Sequence, residues 1–167
     1  MSGDWQGRRE GPTFVDHLNA GSPMRRFLPV LLSALLAGCA ARSAATAEYV
    51  TPYGKPDFPF SPAVRVGNVL YLAGQIGDVQ RKVVPGGIEA ETRQTLLNIK
   101  DILERSGSSM ERVVKCTVFM ADMAEWPKMN EVYKTFFTVH FPARSAFGTT
   151  GLALGARVEI ECLATVG

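Results

Sequence analysis

The residues best suited to chemistry lie near the C-terminus, in FPARSAFGTTGLALGARVEIEC, residues 141–162. This stretch carries Arg144, a run of small residues, and then Val158-Glu159-Ile160-Glu161. A guanidinium fork grips a carboxylate through two parallel hydrogen bonds, which a lysine does less well. A glutamate within hydrogen-bond reach of a water can act as its general base. Each residue also has a plain alternative: a surface salt bridge for Arg144, a solvated strand position for Glu159. Glu159 and Glu161 alternate onto one face of a strand, so the pattern alone does not choose between them.

Other chemistries fail on inventory. After Cys39 the only histidine is His140, and no G-x-S-x-G elbow occurs, so a nucleophile triad has no parts. His140 sits at the end of a helical pattern, where it can interact with the helix C-terminus. Cys116 and Cys162 have no metal-ligand spacing to each other or to a histidine, so no metal site is expected. Both lie inside apolar strand patterns and read as free, buried thiols behaving as small hydrophobes. An exported protein has the further option of pairing them. The whole chain of 167 residues has a net charge of +2. From Cys39 onward 14 Lys and Arg stand against 13 Asp and Glu, with no basic stripe and interleaved aromatics. Nucleic-acid binding is therefore not expected.

The elements that must position these residues follow from periodicity. Residues 64–66 and 69–73 read as strands around a Gly67-Asn68 hairpin turn. Residues 78–86 read as a loop. Residues 88–106 form a helix with Thr92, Leu96, Ile99 and Leu103 on one stripe, stopped at Gly107. Residues 113–120 form a central strand with apolar residues on both faces. A second helix runs from about 126 to 137 with Pro127 in its first turn. Strands follow near 145–149 and 157–165. The order is β-β-α-β-α-β-β, an α+β fold with helices on one face of a mixed sheet. Two helices cover only one face, and oligomerisation is the simplest way to bury the other.

The N-terminal part differs. Arg25-Arg26 precedes an apolar run over residues 27–37, followed by Leu36-Ala37-Gly38-Cys39. That run is too short to span a bilayer, which takes about 20 residues, and fits a signal-peptide core. The ending resembles a bacterial lipobox, which implies cleavage before Cys39 and lipidation of that cysteine. We divide the chain into an upstream extension over 1–23, with Met24 as the natural start, a lipoprotein-type signal over 24–38, a tether over 39–55 and one domain over 56–167. The expected location is periplasmic and membrane-anchored, or cytoplasmic if the signal is not used.

Within that domain the motifs Tyr71-Leu72-Ala73-Gly74-Gln75, Asn98, Val118-Phe119-Met120-Ala121-Asp122 and Asn130-Glu131-Val132-Tyr133 occur in order. Phe141-Pro142-Ala143-Arg144-Ser145 and Val158-Glu159-Ile160-Glu161 follow. Together, over about residues 56–166, they resemble the RidA/YjgF family of enamine/imine deaminases, and the last pair is the most specific. The resemblance implies a chorismate-mutase-like homotrimer with active sites in clefts between subunits. It implies hydrolysis of 2-aminoacrylate and related 2-imino acids to 2-keto acids and ammonia, without metal or organic cofactor. Arg144 then takes the role of carboxylate clamp, and Glu159 that of positioning the attacking water. Asn130 keeps the family's residue and supports the cleft. Three positions depart from the common pattern: Ala146 replaces a cysteine, Phe60 a tyrosine and Ala73 a serine. All three changes make the pocket more apolar and imply imines with larger or apolar side chains, or lower activity on 2-aminoacrylate. The competing expectation is a non-catalytic trimer that binds small carboxylates.

Overall fold

The computed structural model describes residues 45–54 and 57–167. The extension, the signal and Cys39 lie outside them. In chain order the strands before the first helix are β1 (Ala47–Val50), β2 (Ala63–Val66), β3 (Val69–Leu72), β4 (Gln75–Ile76), β5 (Asp78–Val79) and β6 (Lys82–Val83). Helix α1 (Gly87–Arg105) leads to β7 (Val113–Met120), α2 (Trp126–Tyr133), β8 (Ala143–Gly148) and β9 (Val158–Thr165). The main sheet runs β1-β2-β3-β9-β7-β8, with β4 also pairing β9. All its pairings are antiparallel except β7 with β8, which run parallel. This is the expected α+β class, a mixed sheet with two helices.

Both helices bury their apolar stripes against one sheet face. Leu96, Ile99 and Leu103 of α1 and Met129 of α2 are fully buried, as are Cys116, Val118 and Met120 of β7. Each such aliphatic side chain stabilises the fold by about 1.5–3 kcal/mol relative to exposure. Helix α1 ends in a Schellman motif: Ser108 N–H donates to Leu103 O (2.8 Å) and Gly107 N–H to Glu104 O (3.2 Å). Gly107 takes φ 76°, which a residue with a Cβ adopts at a cost. Strands β3 and β4 are one path along β9 with a break at Ala73-Gly74. Tyr71 pairs Leu163 and Gln75 pairs Ile160, so this path holds one residue more than β9 over the same span, the signature of a bulge.

Four expectations need correction. Residues 47–50 lie in the expected tether but form β1, antiparallel to β2. The free N–H and C=O groups on the outer edge of β2 provide a template for pairing. The expected loop after Gly77 contains the hairpin β5–β6, turned by Gln80 and Arg81 at φ 52° and 64°. Helix α2 stops at Tyr133 rather than Phe137. Its last carbonyls are taken by tighter bonds, Thr135 N–H to Val132 O (3.0 Å) and Phe136 N–H to Tyr133 O (3.1 Å).

Cys116 and Cys162 are not free thiols but a disulfide, with Cα atoms 4.1 Å apart. Both are interior, at 0% and 2% exposure. Alternation along each strand could not reveal that the β7–β9 register sets them directly opposite. Adjacent antiparallel strands bring such pairs within bonding range. The bond closes a loop of sequence separation 46, and chain-entropy arguments give such a link about 2–4 kcal/mol. Denaturant unfolding with and without reductant, at fixed protein concentration, should show a loss of that size. Cys116→Ala with Cys162→Ala should lose at least as much. Identical midpoints with and without reductant would contradict the bond's stabilising role.

Candidate active site

Arg144 is the second residue of β8, and its register partner is Cys116. Side chains at paired positions share a face, so Arg144 projects to the helix-covered side. There its Cζ lies 4.5 Å from the Tyr133 ring centre and 5.8 Å from that of Trp126. Both distances fall within cation–π range. A cleft of about 310 Å³ opens beside it, lined by Asn130, Tyr133, Lys134, Phe141, Pro142 and Arg144. Among the described residues no carboxylate pairs with Arg144. Tyr133 is buried, its hydroxyl has no hydrogen-bond partner, and burial pushes its pKa up to about 12. It therefore stays neutral beside the guanidinium. Ala146, two residues along β8, shares the face of Arg144 and packs on the core.

Glu159 is the second residue of β9, opposite Phe119 of β7 and Ile76 of β4. Phe119, Thr117 and Lys115 alternate onto the sheet face without helices, where Lys115 Nζ donates to Ser145 Oγ (2.7 Å). Glu159 and Glu161 share that face. Burial, and secondarily the charge of Glu161, raises the pKa of Glu159 above the ordinary glutamate range. Its carboxylate rests against the bulge: a Cβ at Gly74 would stand 2.0 Å from Glu159 Oε1. Ala73 immediately precedes this contact, and its N–H donates to Pro62 O (3.0 Å).

Arg144 and Glu159 thus occupy opposite faces of one sheet, with β7 between their strands. Two strand spacings put those backbones about 10 Å apart. One chain gathers Arg144, Asn130 and Ala146 on the helix side. It gathers Glu159, Glu161 and Gly74 on the open side. Phe60 joins neither group. It is half exposed and stacks on Phe58, whose other contact is Arg81.

Sequence reasoning missed four contributors. Trp126 and Tyr133 lie two turns apart on α2, a spacing that reads as ordinary core. Gly74 reads as a turn residue, and only the bulge shows what it makes room for. Arg157 is the fourth. Its N–H donates to Glu91 Oε2 (2.7 Å) and its guanidinium to Glu125 Oε1 (2.8 Å). Glu91 is only 4% exposed, so this network anchors the start of β9, two residues before Glu159. A buried glutamate on the α1 stripe, three positions before Gln94, was the available signal.

This architecture and these motifs have close parallels. The family model described as endoribonuclease L-PSP matches residues 53–166. A mouse 2-iminobutanoate/2-iminopropanoate deaminase is 42% identical over 111 residues, covering 65% of this chain and 82% of its own. The solved RidA from an Antarctic Psychrobacter is 31% identical with TM-score 0.63, covering 75% of this chain and all of that one. TdcF of E. coli, solved with serine bound, is 25% identical with TM-score 0.63 and the same coverage. The chain belongs to the endoribonuclease L-PSP family, the RidA/YjgF family that its motifs resemble.

Proposed function

We propose that this protein is an imine deaminase that hydrolyses 2-imino acids to 2-keto acids and ammonia. One observation carries the reading: Arg144, which has no carboxylate partner among the described residues, presents a guanidinium seated on aromatic rings to a cleft of small-metabolite size. Such a fork suits the carboxylate of a 2-imino acid. The names of relatives at about 40% identity, the mouse deaminase among them, support the same chemistry.

The step balances without an oxidant or reductant. With the substrate carboxylate clamped by Arg144, a water oriented by Glu159 attacks the imine carbon and gives up a proton to the Glu159 carboxylate. The C=N π electrons move to nitrogen, which takes a proton, leaving a carbinolamine. With Glu159 ionised again once that proton has gone to nitrogen, the amine takes a solvent proton, the hydroxyl gives its proton to Glu159, the C–N bond breaks, the keto C=O forms and ammonia leaves. A protonated imine is already electrophilic, so orientation and water placement are the main requirements.

Because Arg144 and Glu159 face opposite ways, the reading requires copies to combine. In a homotrimer the helix-side cleft of one subunit, beside its edge strand β8, would meet the open sheet face of the next and bring Arg144 to Glu159. The apolar lining by Tyr133, Phe141 and Pro142, together with Ala146, favours imines with larger or apolar side chains. The near-balanced charge argues against RNA as substrate. The signal-like segment suits an exported, Cys39-anchored location, an oxidising setting in which a Cys116–Cys162 bond would persist.

The direct test generates a panel of 2-imino acids with an amino-acid oxidase and traps unhydrolysed imine with semicarbazide. The protein should lower trapping, most for imines with apolar side chains. Arg144→Ala should raise KM about tenfold or more, as expected for loss of a charge-assisted bond. If neither protein changes trapping for any imine, a carboxylate-binding module becomes the better account. Gly74→Ala should keep the thermal midpoint but cut kcat at least about tenfold, the loss typical of a displaced acid–base group. Wild-type kcat in that variant would remove Glu159 from the mechanism. The base works ionised, so a raised pKa puts the acid limb of kcat/KM above that of an ordinary glutamate. Glu161→Gln removes a repelling charge and should shift this limb to lower pH; an unmoved limb means another group titrates.

A further inference from the structure

The acidic residues around α2 are all engaged away from Arg144. Asp122 accepts the Ala124 N–H (2.8 Å), Glu125 binds Arg157, and Glu131 pairs with Lys134. A half-buried arginine is ordinarily oriented by a carboxylate, which then competes with any incoming anion. Here the orientation comes instead from two ring faces on one side of α2. Trp126 stands in the first turn and Tyr133 in the last, and both lie within cation–π distance of the same guanidinium. A ring face attracts the cation but occupies none of its five N–H donors. The Tyr133 hydroxyl plays no visible part in this, having no hydrogen-bond partner.

We infer that Trp126 and Tyr133 are positioning residues that form an aromatic cradle, holding the Arg144 fork in place while leaving its donors free for a ligand carboxylate. This rests on the proposed role of Arg144 as carboxylate clamp and adds the device that orients it. The cradle also accounts for the short α2. The helix needs only its two turns to bring both rings under β8, and the chain then turns through residues 134–142 to supply the arginine itself.

The test measures binding of 2-oxobutanoate, and of its uncharged analogue 2-oxobutanamide, to the full protein by calorimetry, with thermal midpoints alongside. Trp126 is 39% exposed, so Trp126→Leu should fold normally. It should weaken 2-oxobutanoate binding about 3–10-fold and leave the amide unchanged. Tyr133→Leu should weaken the carboxylate at least as much. Tyr133→Phe keeps the ring and should stay within about twofold of wild type, since removing an unpaired buried hydroxyl costs little. Three results would overturn the inference. The first is unchanged 2-oxobutanoate affinity in folded Trp126→Leu and Tyr133→Leu while Arg144→Ala loses it, which leaves the clamp standing and removes the cradle. The second is a loss in Tyr133→Phe as large as in Tyr133→Leu, which assigns the effect to the hydroxyl. The third is unchanged affinity in Arg144→Ala, which removes the clamp and the cradle together.

Discussion

Side-chain alternation along β7 decides where every charged group of the site can stand. The strand pairs in parallel with β8 and antiparallel with β9. Cys116, Val118 and Met120 point to the helices; Lys115, Thr117 and Phe119 point away. Arg144 lies beside Cys116 and Glu159 beside Phe119, so the two charges inherit opposite faces. A slip of one residue in either pairing would exchange those faces. The disulfide between Cys116 and Cys162 fixes the β7–β9 register covalently at the position next to Arg144. A helix-side arginine and an open-side glutamate therefore follow from one strand and its two registers.

Each charge is then held by a different device. Arg144 is oriented by ring faces and keeps its hydrogen-bond donors. Glu159 is placed by a bulge whose glycine leaves room for the carboxylate, while burial and Glu161 make it a better proton acceptor than a free glutamate. The origin of β9 is fixed by Arg157 between Glu91 and Glu125. That network joins α1, the turn before α2 and β9, so both helices help to set the position of Glu159. Among the described residues no helix lies over the sheet face that carries Glu159. Under the proposed function a second copy of the chain would bury that face and bring an arginine to it at once.

Much of the fold was legible because local patterns and tertiary structure agree. The α1 stripe, the Gly107 stop, the Gly67-Asn68 hairpin and the alternation in β7 and β9 each follow from period and turn chemistry. β1 was not legible, because four mostly exposed residues gain strand structure only from the edge of β2. The β5–β6 hairpin turns through Gln80 and Arg81, residues that carry no turn signal for positive φ. The disulfide was hidden because alternation shows burial but not which residue lies opposite. At the site, the motif around Arg144 was visible and its separation from Glu159 was not. Opposite faces emerge only when the direction of β8 and β9 relative to β7 is known.

The central claim is that a working site takes Arg144 from one copy and Glu159 from another. Mixing subunits tests it directly. Arg144→Ala and Glu159→Gln proteins are each unfolded, combined and refolded together, and imine hydrolysis is compared with that of each variant refolded alone. Hybrid assemblies contain some sites with both native residues, so hydrolysis at low imine concentration should rise in the mixture well above that of its two impaired parents. If hybrids form, as native mass spectrometry can verify, and the mixture hydrolyses imine no faster than its parents at low imine concentration, the two residues do not meet across copies and the account is wrong.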